Sequence, residues 1–312
     1  MTQQPLVTII TAAYNRACVL RYALLSVLQQ TYQNWEYIVV GDGCTDDTES
    51  LMRGIDDPRV QFINLKENSG GQSAPHNHGL SLAQGEYIFY LNQDDFYFPD
   101  HIASRVDFLR QSEADITWGP VALPSPTDEK ETDWAKQLVT LGGVTGNNRF
   151  DPTVFIISSC WAMRADTAQT IGLWKPAEQT LVSPSQELLF RASRMGADFQ
   201  FHPHISVLCI YSGARVNSYL SGDAEHQYYF DFINSGPEGR GKIAETAALT
   251  LAGQRASFSR LSLDVIKYPV SVVLRAFLQA IGKHPLTLNY YLRYRRYGGF
   301  VSWHRKKVLK TS

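Results

Sequence analysis

The chain predicts an α/β fold built on a mixed, mostly parallel sheet with flanking helices, and three observations lead there. Its first third alternates short apolar runs with helical repeats. Two of those runs, around Ile38 and Ile88, are continuously apolar, as strands covered on both faces require. And 312 residues, 44% of them hydrophobic and only 19% charged, suffice for a full core and exclude a largely disordered chain.

Taken in order, strands are expected over residues 6–12, 36–41, 60–64, 86–91 and 115–121. Leu20, Ala23, Leu24, Val27 and Leu28 repeat at helical spacing, and Ile102, Val106 and Leu109 mark a second helix with Pro99 at its first position. Strand–helix alternation of this kind places ligands beyond the C-terminal ends of the strands. Residues 123–152, rich in Pro, Gly and Asn, read as an irregular insertion. Order returns over 154–160 and through a helix with Ser183 as N-cap, Pro184 at its first position and Gln186 completing a capping box.

The net charge of −1 hides an asymmetry. Beyond Asp264 there are ten Lys or Arg residues and no acid, so the preceding body carries the compensating negative charge. Residues 236–312 therefore read as a helical, basic extension of a body spanning 1–235. Within it Val270, Val273, Leu274, Phe277, Leu278 and Ile281 form an apolar stripe, interrupted by Arg275, too short and too charged to span a bilayer. Residues 289–307 interleave aromatic and basic side chains. Two readings stand: a helix docked on the body with a solvated basic end, or a peripheral anchor on anionic lipid. No RNP-like or helix-turn-helix pattern points to nucleic acid. Four scattered cysteines without a CxxC pair suggest neither a zinc site nor a disulfide framework. With no basic region before the first apolar run, they place the chain on the cytoplasmic side.

The chemistry centres on Asp94 and Asp95, which follow the strongly apolar fourth strand. Adjacent carboxylates at a strand end repel each other unless a cation or donors compensate them, and Mg²⁺ or Mn²⁺ shared with phosphate oxygens would do so. Alone, the pair reads better as a solvated turn whose acids cap the helix that follows Pro99. Asp42 ends the second strand, before Gly43 and a helix expected to start at Thr45; it can accept hydrogen bonds from a base edge. Tyr14, after the first strand, can supply a stacking face. The GDG turn lacks GxGxxG spacing, which argues against a dinucleotide oxidoreductase, and neither a P-loop nor GxSxG is present. A nucleotidyltransferase would need a glycine-rich basic loop after the first strand, and residues 12–19 do not form one.

Three stretches, TIITAAYNR (8–16), LLSVLQQTYQNWEYIVVGDGCTDDT (24–48) and ENSGGQSAPHNHGLSLAQGEYIFYLNQDD (67–95), together resemble family 2 of the glycosyltransferases. The resemblance implies a GT-A fold over 1–235, with a nucleotide-binding half (1–121) and an acceptor half (122–235). It implies a nucleotide-diphosphate sugar as donor, a UDP-sugar first among them, and inverting transfer to a saccharide or lipid-linked acceptor. It makes Thr11, Ala13 and Tyr14 part of the base pocket, sets Asp42 on the base, and makes Asp94 the metal ligand with Asp95 its neighbour. Asn92 stands near the ribose, where the family usually has Asp. His76 stands where it commonly has Arg, and would carry charge to the diphosphate only if its pKa were raised. The general base maps to Glu187, without the usual Glu-Asp pair. The two departures motivate a second reading, a non-catalytic nucleotide-sugar-binding or scaffold protein. Lesser candidates are Trp161 against an acceptor sugar, His202 and His204 as an HxH pair on a strand, and Arg215 with Tyr219 over the donor phosphates.

Overall fold

A computed structural model describes residues 4–124, 138–141, 149–210, 222–236, 239–243, 245, 249, 269–295 and 303. Its first half is a run of strand–helix units. These are β1 (Val7–Ala13), α1 (Ala17–Leu28), β2 (Trp35–Gly41), α2 (Thr48–Arg53), β3 (Val60–Asn64), α3 (Ser73–Leu82), β4 (Tyr87–Tyr90), β5 (Asp95–Tyr97) and α4 (His101–Ser112). There follow β6 (Ile116–Trp118), β7 (Val121–Pro124), β8 (Leu138–Leu141), β9 (Trp161–Arg164), α5 (Ala165–Ile171), α6 (Pro184–Arg194), β10 (Phe199–Phe201), β11 (Val207–Cys209) and α7 (Ala224–Asn234). Near the C-terminus lie two more helices, α8 (Pro269–Ala280) and α9 (Thr287–Tyr294).

Seven strands form one sheet in the order β10-β6-β9-β4-β1-β2-β3. All pairs are parallel except those of β9, which runs antiparallel to both β4 and β6. The expected mixed, mostly parallel sheet is therefore present. Its central strands are sealed on both faces: Ile9, Ile10, Val39 and Phe89 have no exposed surface, which is why their sequences run continuously apolar. Helix α3 lies close on β1 because it carries Gly79 at the contact, where a Cβ would come within 2.5 Å of Ile10. Two residues earlier, Asn77 fastens a distant segment by bonding both the N–H (2.8 Å) and the C=O (2.9 Å) of Trp174.

A smaller sheet, in the order β5-β11-β7-β8, stands beside the first. It corrects two expectations. The strand read over 115–121 breaks into β6 and β7, which belong to different sheets. Gly119 is threaded between Arg105 and the His202 carbonyl, where a Cβ would stand 2.4 Å from each, and Pro120 after it offers no N–H to a ladder. The irregular insertion read from 123 contributes β8, antiparallel to β7.

Helix starts shift for local reasons. Helix α4 begins at His101 with Asp100 at its N-cap, so Pro99 precedes the helix. Helix α2 begins at Thr48, three residues later than expected, because Thr45 and Asp46 are turned back toward the β1 loop. The start of α6 is as read: Ser183 caps it, accepting from Gln186 N–H at 3.3 Å, with Pro184 in the first turn. All four cysteines are free thiols.

Candidate nucleotide-sugar site

Strands β4, β1 and β2 are neighbours at the centre of the sheet, and the loops leaving their C-terminal ends carry Asp94, Tyr14 and Asp42. These loops are bound to one another. Asn15, with a positive φ of 42°, aims its Oδ1 at the N–H groups of Thr45 (2.7 Å) and Asp46 (3.3 Å). Asp46 answers by accepting from Ala17 N–H at 3.0 Å and from Thr48 N–H at 3.1 Å. Asn64 staples the turn after β2 through Cys44 N–H and C=O, and Gly43 turns there with φ +70°, where a Cβ would meet Asn68 N at 2.7 Å. The Tyr14 N–H donates to Gln93 Oε1 at 2.8 Å, which joins the β1 loop to the β4 loop.

Within this frame Tyr14 leaves its ring partly exposed at the strand end (37%), as a stacking surface requires. Asp42 is buried, and its Oδ1 accepts from both the N–H (2.9 Å) and the hydroxyl (2.7 Å) of Ser69. Ser69 in turn lines an open cleft with Gly70, Gly71, Ser73, Ala74 and the segment 176–178 opposite. Ala13 contributes its carbonyl, which accepts from Asp42 N–H at 2.8 Å, while its methyl lies in the core.

The two adjacent acids have opposite environments. Asp94 sits in the turn and pairs with Arg16, Nη1 to Oδ2 at 3.2 Å; the Arg16 side chain is almost wholly enclosed and that of Asp94 partly exposed. Asp95 opens β5, pairs across to Cys209 of β11, and is sealed. Its Oδ2 accepts from Asn92 Nδ2 at 2.8 Å and from the Ser159 hydroxyl. Burial first, then the neighbouring Asp94 charge, push its carboxyl up to about 7. The donor set thus fits a hard divalent cation through one protein carboxylate, Asp94, with the remaining positions left to phosphate oxygens and water. Among the described residues no group of three or more His, Cys, Asp and Glu side chains could hold a metal alone.

Several predicted site residues lie elsewhere. Thr11 is fully buried; its hydroxyl donates to Leu91 C=O at 2.6 Å and lies 2.8 Å from the Tyr37 hydroxyl, so it ties strands together and cannot line a base pocket. His76 is enclosed against Tyr90 and Trp174, with ring centroids 4.9 and 4.6 Å away. Burial lowers its pKa to about 3, so it is a neutral packing residue and not a diphosphate contact. Asp95 likewise faces inward and not toward a donor. Asn92 has both ends of its amide engaged, donating to Asp95 and accepting from the Ser158 hydroxyl at 2.7 Å. A carboxylate at position 92 would face Asp95 directly, which explains why this chain carries the amide. Trp161 is a core residue, stacked with Trp174. His202 and His204 follow β10 and do not lie within it; His202 stacks on Phe108 and His204 bonds Asp100 at 2.9 Å. Arg215 and Tyr219 lie outside the described residues.

Glu187 lies in the first turn of α6. Its Oε1 is 2.7 Å from Lys175 Nζ and its Oε2 is 3.0 Å from Arg191. Arg191 is also fastened to the carbonyls of Ile171 and Leu173, whereas Lys175 is half-exposed and adjoins the cleft wall at Pro176. The sequence reading missed Arg16, Ser69, Gln93, Ser159 and Glu178, the last a carboxylate lining the cleft.

Strands presenting a base-sized aromatic face and two carboxylates from adjacent loops, beside a small second sheet, define a GT-A nucleotide-diphospho-sugar transferase fold. Solved structures of that fold match over nearly the whole chain. One is Staphylococcus aureus TarS 1-349 in complex with UDP-GlcNAc, 18% identical with a TM-score of 0.56, covering 96% of this chain and 89% of that one. Another is the mannosyltransferase PcManGT of Pyrobaculum calidifontis in complex with GDP-Man and Mn²⁺, 17% identical with a TM-score of 0.52, covering 97% and 86%. The sequence profile of glycosyl transferase family 2 matches residues 8–172, more than half of the chain, and the chain belongs to that family. Relatives include an uncharacterized glycosyltransferase of Haemophilus influenzae, 38% identical over 121 residues (38% of this chain, 48% of the relative). A putative teichuronic acid biosynthesis glycosyltransferase, TuaG, of Bacillus subtilis is 34% identical over 110 residues, 35% of this chain and 43% of its own. The match thus takes in less than half of either relative's length.

Proposed function

We propose that the protein is a metal-dependent, inverting glycosyltransferase that moves a sugar from a nucleotide-diphosphate donor, a UDP-sugar first among them, to a saccharide or lipid-linked acceptor on the cytoplasmic side. The convergence of Tyr14, Asp42 and Asp94 from three adjacent strand ends carries this reading. The nucleotide sugars bound to TarS and PcManGT, and the teichuronic acid role assigned to TuaG, support the donor and acceptor classes.

In this reading the Tyr14 ring stacks on the base and Asp42 accepts from its N–H edge through Oδ2, since Ser69 occupies Oδ1. Asp94 holds the cation, Mg²⁺ or Mn²⁺, which when bound neutralises charge on the departing diphosphate as a Lewis acid. Arg16 orients Asp94 and sets a permanent positive charge close to where that negative charge develops. Glu187 is the base for the acceptor hydroxyl. Its Oε1 is the working oxygen, because half-exposed Lys175 can be exchanged for an acceptor while Arg191 is held by backbone carbonyls.

A thermal-shift screen of nucleotide sugars with and without Mn²⁺ tests the reading, since specific binding raises apparent stability by mass action. One donor class should raise the midpoint only with Mn²⁺, and Asp94→Ala should lose the metal-dependent part. An equal shift in Asp94→Ala, or none with any nucleotide sugar, refutes it. The amide at Asn92 and the enclosed His76 favour a second reading, donor binding without turnover; a donor-hydrolysis assay with Mn²⁺ separates the two.

A further inference from the structure

The helices near the C-terminus present their apolar residues to solvent. Among the α8 residues whose exposure is described, from Val273 on, the exposed ones are Val273, Ala276 and Phe277, continuing through Ala280 and Ile281. That spacing of three and four is one continuous helical face, and every residue on it is apolar. Val273, Phe277 and Ile281 are 68%, 58% and 53% exposed. Polar Arg275 and Gln279 lie half-buried on the other flank, the reverse of what a helix facing water presents. The orientation is anchored: Arg194 donates to Gln279 C=O, and buried His284 packs against Phe190 at 5.0 Å between ring centroids. Gly282, with φ +76°, ends the helix, and Lys283 follows it exposed. On α9, Tyr291 and Leu292 are exposed beside Arg293, and exposed Arg295 follows the helix. Among the described residues no helix is long and apolar enough to cross a membrane.

From this arrangement we infer that α8 and α9 form a docking face for an anionic lipid bilayer, with Phe277 and Ile281 entering the headgroup–acyl boundary and Lys283, Arg293 and Arg295 meeting lipid phosphates. Charge selects this occupant. An apolar helix face rimmed by cations, in a segment with no acidic residue beyond Asp264, complements a negatively charged apolar surface. A second copy related by a two-fold axis would bring the same cations against one another. The inference rests on the reading of an enzyme acting on a saccharide or lipid-linked acceptor, but its test involves no donor or turnover.

Co-sedimentation of the full chain with phosphatidylcholine vesicles, with and without phosphatidylserine, provides that test. Binding should require phosphatidylserine and weaken with salt. Phe277→Glu with Ile281→Glu should reduce partitioning at least ~10-fold, and Lys283→Ala and Arg293→Ala by roughly 5-fold each. All four sites are solvent-exposed, so unchanged circular dichroism and thermal unfolding should accompany the loss. Wild-type protein that ignores both vesicle types, or a Phe277/Ile281 variant that binds as wild type does, overturns the inference. So does sedimentation velocity showing a wild-type dimer that the same double substitution dissolves, which would make the face a contact between copies. Loss of donor binding in Asp94→Ala with vesicle binding intact leaves the docking face standing.

Discussion

Replacing His76 with Leu tests whether this residue belongs to the binding chemistry or to the core. The two side chains are close in volume, and the site is walled by Tyr90 and Trp174 with His76 Nδ1 lacking any hydrogen-bond partner. An apolar replacement therefore removes an unsatisfied buried group at little packing cost, and stability near pH 7 should hold or rise. The pH dependence gives the magnitude. Burial lowers the His76 pKa from 6.5 to about 3. Below the unfolded value the unfolded chain takes up a proton that the folded chain refuses, so the folded state loses stability as pH falls. Between about pH 7 and about pH 5 this site alone costs the wild type ~2 kcal/mol. Other buried histidines contribute to both proteins and cancel in the difference. Urea denaturation at the two pH values should show the wild type losing ~2 kcal/mol more than His76→Leu, and donor affinity should be unchanged. Parallel pH profiles, or a donor affinity that collapses in the variant, would refute the reasoning.

Three further outcomes follow from the same geometry. Asn92→Asp, which restores the residue usual in the family, sets a second carboxylate against Asp95, whose pKa already stands at about 7. It should destabilise by roughly 2–3 kcal/mol at neutral pH, less as pH falls and one carboxyl takes a proton, as denaturation at two pH values would reveal. Glu187→Gln should lower kcat at least about a hundredfold with little change in KM; steady-state rates that stay intact, with only a lowered Tm, would confine Glu187 to holding Lys175 and Arg191. Arg16→Met removes the enclosed partner of Asp94. It should cost on the order of 2 kcal/mol in chemical denaturation and weaken nucleoside diphosphate binding, read by calorimetry with Mn²⁺ present.

Much of the nucleotide half was legible because the signals there are local. Continuous apolar runs mark strands buried on both faces, and a residue directly after such a run stands at the sheet's C-terminal edge whatever the rest of the chain does. Tyr14, Asp42 and Asp94 were placed at strand ends that way, and the Ser183 cap was as local, its partner lying three residues on. Helix starts were less readable where a loop bonds to another loop, as at Thr45 and Asp46.

The sequence by itself determined the mostly parallel sheet, the strand ends where chemistry can gather, and the family. Only the tertiary structure decided which of those residues stay open to solvent and which are sealed. Asp94 and Asp95 are chemically identical neighbours, yet one stays partly exposed and the other is sealed, because β5 pairs with β11 and turns Asp95 inward toward Asn92 and Ser159. Arg16 meets Asp94 across 78 residues of sequence, and His76 is closed in by Trp174 from 98 residues away. Orientation and charge at these positions are set by contacts distant in sequence, and no local pattern of residue types encodes them.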